Sequence, residues 1–212
     1  IQGGTPDGGG SGTGGGDDTG GSQTSSGVCG KNATESGSIP ENAQKLTFDF
    51  TGGTISGITA TSSSKPNASG VATVNGYEFN YTNAIAHSAS QYIETGYLGL
   101  CAKGGNGIAS FANKTAIPGK IVKVDVKMPK EISSGSVSAK APFVIDFDTK
   151  ALGNTTQTSG QTGGTEVTLS AYTVNSINAS YFAISVIQGV DTNGKPTYYN
   201  GSIASITVTY VA

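Results

Sequence analysis

Residues 117–128 constrain the fold of this chain more than any other stretch. Ile117-Pro118-Gly119-Lys120 is a turn signal, because proline presets φ and glycine admits backbone angles closed to other residues. It runs straight into Ile121-Val122-Lys123-Val124-Asp125-Val126-Lys127-Met128. Val122, Val124, Val126 and Met128 fall on one face and Lys123, Asp125 and Lys127 on the other, the two-residue period of a strand with one dry face and one wet face. Such a strand requires an apolar partner layer, so the chain must contain further strands to supply it.

The same grammar recurs on both sides. Leu46, Phe48 and Phe50 alternate with Thr47 and Asp49, and Gly52-Gly53 turns the chain into a second strand over residues 55–61. Residues 62–70, with Pro66 and Gly70, read as a loop. Tyr77, Phe79 and Tyr81 follow an Asn75-Gly76 hairpin signal. Residues 85–96 are ambiguous: Ile85, His87 and Ala89 alternate weakly, while Ser88, Ser90 and Gln91 suit an exposed edge. Leu98 and Leu100 carry a short strand ending at Gly104-Gly105. The longest alternation runs through Val137, Ala139, Ala141, Phe143, Ile145 and Phe147, with Pro142 marking an edge or a bulge. After a polar loop over 153–164 come strands on Val167, Leu169 and Ala171 and on Phe182, Ile184 and Val186. Asn193-Gly194 then joins 187–191 to 197–199 as a hairpin, and Ile206, Val208 and Tyr210 close the series.

Roughly eight to ten short strands separated by turn signals predict an all-β fold, a two-sheet antiparallel β-sandwich of jelly-roll or galactose-binding-like type, with almost no helix. No fixed-period repeat argues for a propeller or a solenoid. Residues 3–37 are Gly, Ser, Thr and Asp with hardly an apolar side chain, too little hydrophobic area to offset the entropy of ordering them. Residues 1–43 are therefore expected to be a flexible Gly/Ser/Thr-rich tether and residues 44–212 the sandwich domain.

Only 12% of the 212 residues are charged and the net charge is -2, so the chain carries no basic field for nucleic acid. No apolar run reaches the roughly 18–20 residues that cross a bilayer, which predicts no transmembrane segment. The polar, Gly-rich start suits a chain after export processing, or one simply truncated. A secreted or cell-surface protein is the expectation, its tether leading to an upstream domain or a membrane anchor.

The strand run resembles the small C-terminal β-sandwich accessory modules of secreted proteins and lipoproteins of gut Bacteroidetes. The resemblance is carried by Leu46-Thr-Phe-Asp-Phe50, Asn75-Gly-Tyr-Glu-Phe79, Tyr97-Leu-Gly-Leu100, Ile117-Pro-Gly-Lys-Ile121, Ser134-Gly-Ser-Val137 and Ile203-Ala-Ser-Ile-Thr-Val208. It implies an accessory domain behind a Gly- or Ser-rich linker and transfers no catalytic residue. A lipoprotein of this kind would have a lipidated cysteine at its mature N-terminus, where this chain has Ile1.

Catalytic signals are sparse. The chain has one histidine, His87, and lacks Gly-x-Ser-x-Gly, His-Glu-x-x-His and a Walker loop. Asp49, Asp125, Asp146 and Asp148 sit on strands and could pair as acid and base, but each alternates with core residues and reads more simply as a solvated outward side chain. Asp191-Thr192-Asn193-Gly194 begins like a calcium loop without the later carboxylate, so it reads as a hairpin turn. No metal and no cofactor are expected. Cys29 and Cys101 permit a disulfide stapling the tether to the sandwich, or a buried Cys101 with an unpaired Cys29; spacing chooses neither. Sequons at Asn32, Asn67, Asn80, Asn113, Asn154, Asn178 and Asn200 would be glycosylated only in a eukaryotic source.

The expectation is therefore a non-catalytic surface module, not an enzyme, with a glycan as its partner. A structural or adhesive spacer is the alternative. With no tryptophan in the chain, tyrosine must supply any sugar-stacking ring. The candidates are Tyr198 and Tyr199 beside the Asn193-Gly194 turn, with Tyr92 and His87 as neighbours. The plainer reading is that these rings only cover an end of the sandwich.

Overall fold

The computed structural model describes residues 29–90, 93–102, 107–129, 143–153, 168–186, 189–190, 196–197 and 200–212. Regular structure among them is entirely β, in two antiparallel sheets packed face to face as a sandwich. The first sheet is five-stranded and holds β1 (Ala33–Thr34), β2 (Gln44–Asp49), β7 (Lys120–Lys127), β9 (Thr168–Thr173) and β14 (Ser205–Val211), in the order β1-β9-β7-β14-β2. The second is seven-stranded and holds β3 (Asn67–Val74), β4 (Tyr77–His87), β5 (Tyr97–Cys101), β6 (Ala109–Asn113), β8 (Phe143–Asp148), β10 (Tyr181–Val186) and β13 (Asn200–Ile203). A small hairpin of β11 (Gly189–Val190) and β12 (Pro196–Thr197) lies between β10 and β13 in the chain.

In the first sheet the alternation forecast from sequence sets the layers. Ile206 pairs with Phe48 and Val126, and Val208 with Leu46 and Val124, so one face of the sheet is continuously apolar. The opposite face carries Thr47, Thr207, Asp125 and Ser170 in one row across four strands. That row is tied by a 3.0 Å bond between the Thr47 and Thr207 hydroxyls and by a bond from the Ser170 hydroxyl to Asp125. One residue departs from the forecast. β7 bulges where Thr209 faces Lys123 and Tyr210 faces Ile121, which skips Val122. Ile121 therefore enters the core and Val122 turns to the other side.

The second sheet supplies the aromatic half of the core. Phe79 stacks on Phe111 at 4.5 Å and meets Phe48 edge-on at 4.8 Å, so a ring cluster spans the two sheets. Each fully buried phenylalanine contributes about 2–3 kcal/mol, which makes this cluster a main source of stability. Ala84 has Asn67 on one side and Leu100 on the other, while Phe79 lies between Ala72 and Asn113. It follows that β5 and β6 lie end to end along the same edge of β4, opposite β3. Between them sits Asn83, in the left-handed region at φ 51, with its amide donating to the Ile108 carbonyl at 2.7 Å.

Asn83 explains the ambiguous stretch. It shifts the alternation by one, so the core-facing residues are Phe79 and Tyr81 before it and Ala84 and Ala86 after it. β3 and β6 lie where the alternation predicts no strand. β3 is exposed along most of its length with only Ala72 buried, and β6 is buried throughout, so neither alternates. The strand expected over 55–61 is instead a tight turn, with Ile55 bridging Ile58 around Gly57 at φ 91.

Residues 29–34 form a clip joining the two sheets. Gly30 N donates to Ile145 O at 3.0 Å and Phe147 N to Lys31 O at 2.9 Å, which places this segment against the outer edge of β8. Two residues later Ala33 and Thr34 pair with Thr173 and Tyr172 on β9, the edge of the other sheet. Among the described residues the folded contacts thus reach back to Cys29, across the boundary expected at residue 43. The clip also changes the reading of Asp146. Far from a solvated outward side chain, it is 1% exposed and accepts a 2.6 Å bond from Lys31 N. On the opposite side of the sandwich, Thr73 N donates to Ser56 O at 3.0 Å, so the 55–58 turn covers the outer edge of β3.

Candidate functional site

The outer face of the second sheet is where the described sequence candidate lies. Leu98 and Leu100 point into the core, so Tyr97, Gly99 and Cys101 point outward from β5. The register sets His87 beside Tyr97, Ile85 and Ser202 on either side of Gly99, and Asn200 beside Cys101. Because Gly99 has no side chain, the middle of this patch is a dip of about 130 Å³ bordered by Ser63, Ile85, Tyr97, Cys101, Asn200 and Ser202. The fit is close: a Cβ on Gly99 would lie 2.4 Å from Ile85 Cγ1.

One wall of the patch is aromatic. The His87 and Tyr97 rings stack with centroids 5.1 Å apart and planes 13° from parallel. His87 Nδ1 donates to the Ser88 carbonyl at 2.6 Å, which fixes both the tautomer and the ring orientation. Burial pushes the Tyr97 hydroxyl above its ordinary pKa and neighbouring Cys101 adds to the effect, while a hydrogen bond with Ser202 pulls it partly back. Burial alone raises the Cys101 thiol to about 12, so it stays protonated and is a poor nucleophile at neutral pH. The lining thus offers hydroxyls, an amide and a ring pair for binding.

Compared with known protein families, curated proteins and solved structures, the chain matches none.

Of the sequence candidates, His87 is in this patch, and Tyr92, Tyr198 and Tyr199 lie outside the described residues, as does the Asp191–Gly194 turn. The sequence reading passed over Tyr97, Gly99 and Ser202. A signal was present: with Leu98 and Leu100 inward, Tyr97 must face out, and a glycine inside a strand marks a place where something approaches the backbone closely. The strand carboxylates are engaged by neighbouring donors. Asp49 accepts from Thr51 N at 2.9 Å and the Thr51 hydroxyl at 2.7 Å, which lowers its pKa. Asp125 pairs with Lys123 at 2.8 Å, and Asp148 pairs with Lys31, which holds it below the usual carboxylate range. Among the described residues no group of three His, Cys, Asp or Glu side chains gathers as a metal site, and no helix is long and apolar enough to cross a membrane. Cys29 and Cys101 are both free thiols. The sequon residue Asn113 is fully buried, donating to Thr115 O and Ser180 O and accepting from Phe182 N, so its role is structural.

Proposed function

We propose that the protein is a non-catalytic β-sandwich module of an exported or cell-surface protein that binds neutral saccharide on the outer face of its second sheet. The observation that carries this reading is the stacked His87–Tyr97 pair beside the dip over Gly99. Sugar rings present apolar C–H faces to aromatic rings, and Ser202 and Asn200 stand beside that wall to meet hydroxyls. The dip is smaller than the roughly 300–1,000 Å³ of enclosed small-molecule sites, which suits one ring of an extended polymer better than a free metabolite. No charged side chain borders it among the described residues, which favours a neutral sugar.

A glycan array followed by a polysaccharide pull-down tests the proposal. Tyr97→Ala is expected to weaken binding about tenfold or more while the protein stays folded. Binding untouched by Tyr97→Ala would refute the site. The second reading, a structural or adhesive spacer, is favoured by the coverage of the β8 and β3 edges, and binding to no glycan would select it.

A further inference from the structure

A larger cleft lies at the end of the sandwich where β7 begins and β14 ends. Its volume is about 530 Å³, and Ser38, Pro40, Lys120, Val122, Asn175 and Asn178 are among its walls. This size falls within the ordinary range for small-molecule sites. Val122 is there because the β7 bulge turns it away from the core.

The walls are built in advance. A Cβ on Gly119 would lie 2.2 Å from Val211 O, so the chain ends of β7 and β14 approach as only glycine permits. Ile117 N donates to Ser180 O at 3.0 Å and Ile121 N to Ala179 O at 2.7 Å, which fixes the backbone flanking Asn178. Two hydroxyls in the lining are spent on the wall itself: Ser180 on Gly119 O at 3.0 Å and Thr173 on Ile121 O at 2.7 Å. That leaves the Ser38 hydroxyl, one cation and two amides for a ligand. The Lys120 ammonium donates to Asn175 O at 3.3 Å and enters none of the described ion pairs. Asn175 and Asn178 are exposed, with no side-chain hydrogen bond among the described residues. One cation, two amides and the apolar surfaces of Pro40 and Val122 match a carboxylate attached to a hydroxyl-bearing ring.

We propose that this cleft binds an acidic sugar residue such as a uronate, its carboxylate on Lys120 and its hydroxyls on the Asn175 and Asn178 amides. The site is separate from the Tyr97 patch and does not rest on that patch binding anything. The test is a titration of the ¹⁵N-labelled full chain with glucuronate and galacturonate, and in parallel with glucose and galactose. Uronates are expected to shift the amide signals of Gly119, Lys120 and Ala179, with an affinity that falls as salt rises. Lys120→Gln, at a solvent-facing position that leaves the fold intact, should weaken uronate binding about tenfold or more, as loss of a charge-assisted hydrogen bond does. Tyr97→Ala should leave it unchanged. Three results would overturn the proposal: neutral sugars shifting the same signals equally, Lys120→Gln binding uronate as well as the parent, or no shift with millimolar uronate.

Discussion

Replacing Gly30 by alanine should release the clip. A Cβ at this position would stand 2.1 Å from Asp146 Oδ1 and 2.7 Å from Val144 Cγ1, distances no packed pair of atoms sustains. Either Asp146 rotates away and gives up its 2.6 Å bond from Lys31 N, or the clip lifts off β8 and loses the Gly30–Ile145 and Lys31–Phe147 backbone bonds. A hydrogen bond to a charged group is worth about 1.5–3 kcal/mol and each backbone bond about 0.5–1.5 kcal/mol. A released segment recovers conformational entropy, which offsets part of the loss. The net expectation is about 2 kcal/mol, which at an m-value of roughly 2 kcal/mol/M lowers the urea midpoint by about 1 M. Hydrogen exchange should accelerate at Gly30 and Phe147, whose amide protons are held by the clip contacts. Gly52→Ala is the control, since nothing lies within 4 Å of a Cβ there. An unchanged midpoint together with unchanged exchange at Phe147 would refute the packing of the clip against Asp146.

Two further outcomes are expected. Val124→Asp should abolish folding, because Val124 is 0% exposed and its neighbours across the sheet are Val208 and Ala171; Lys123→Glu should cost far less, and comparable damage from both in a thermal melt would contradict a one-sided strand. Alkylation at pH 8 should be slow at both cysteines, since burial raises Cys29 to about 11, with a smaller contribution from Glu35, and Cys101 to about 12; Cys29 should nonetheless react first, and first by a wider margin in Gly30→Ala, as mass spectrometry of the labelled chain would read.

The parts of the fold legible in the sequence are those where one face is dry and the other wet. β2, β7, β9 and β14 announce themselves through Phe48, Val124, Leu169 and Val208, each separated from the next core residue by a polar one. The parts that escaped are those where that contrast vanishes. β3 is wet on both sides, β6 is dry on both, and the clip is held by backbone groups and by Asp146, none of which leaves a hydrophobic signature. At Val122 and Asn83 the contrast survives but a bulge shifts its phase, so reading straight through assigns the wrong face. The candidate site was only partly legible: His87 stands out as the lone histidine, but that Tyr97 stacks on it follows from the β4–β5 register, which no local pattern reveals.

The covered edges have a consequence for strand addition by another chain. An open sheet edge is a row of unmet donors and acceptors that invites another chain to add a strand, and proteins commonly deter this by studding the edge with lysine and other charges. This sequence has little charge to spend, with 12 basic and 14 acidic residues in 212. It deters neighbours with its own backbone instead: residues 29–32 lie along β8, Ala33 and Thr34 along β9, and Ser56 against β3. At the β8, β9 and β3 edges the main chain itself occupies the place an added strand would take, so protection there should be insensitive to salt and should depend on a few residues whose composition is that of a linker.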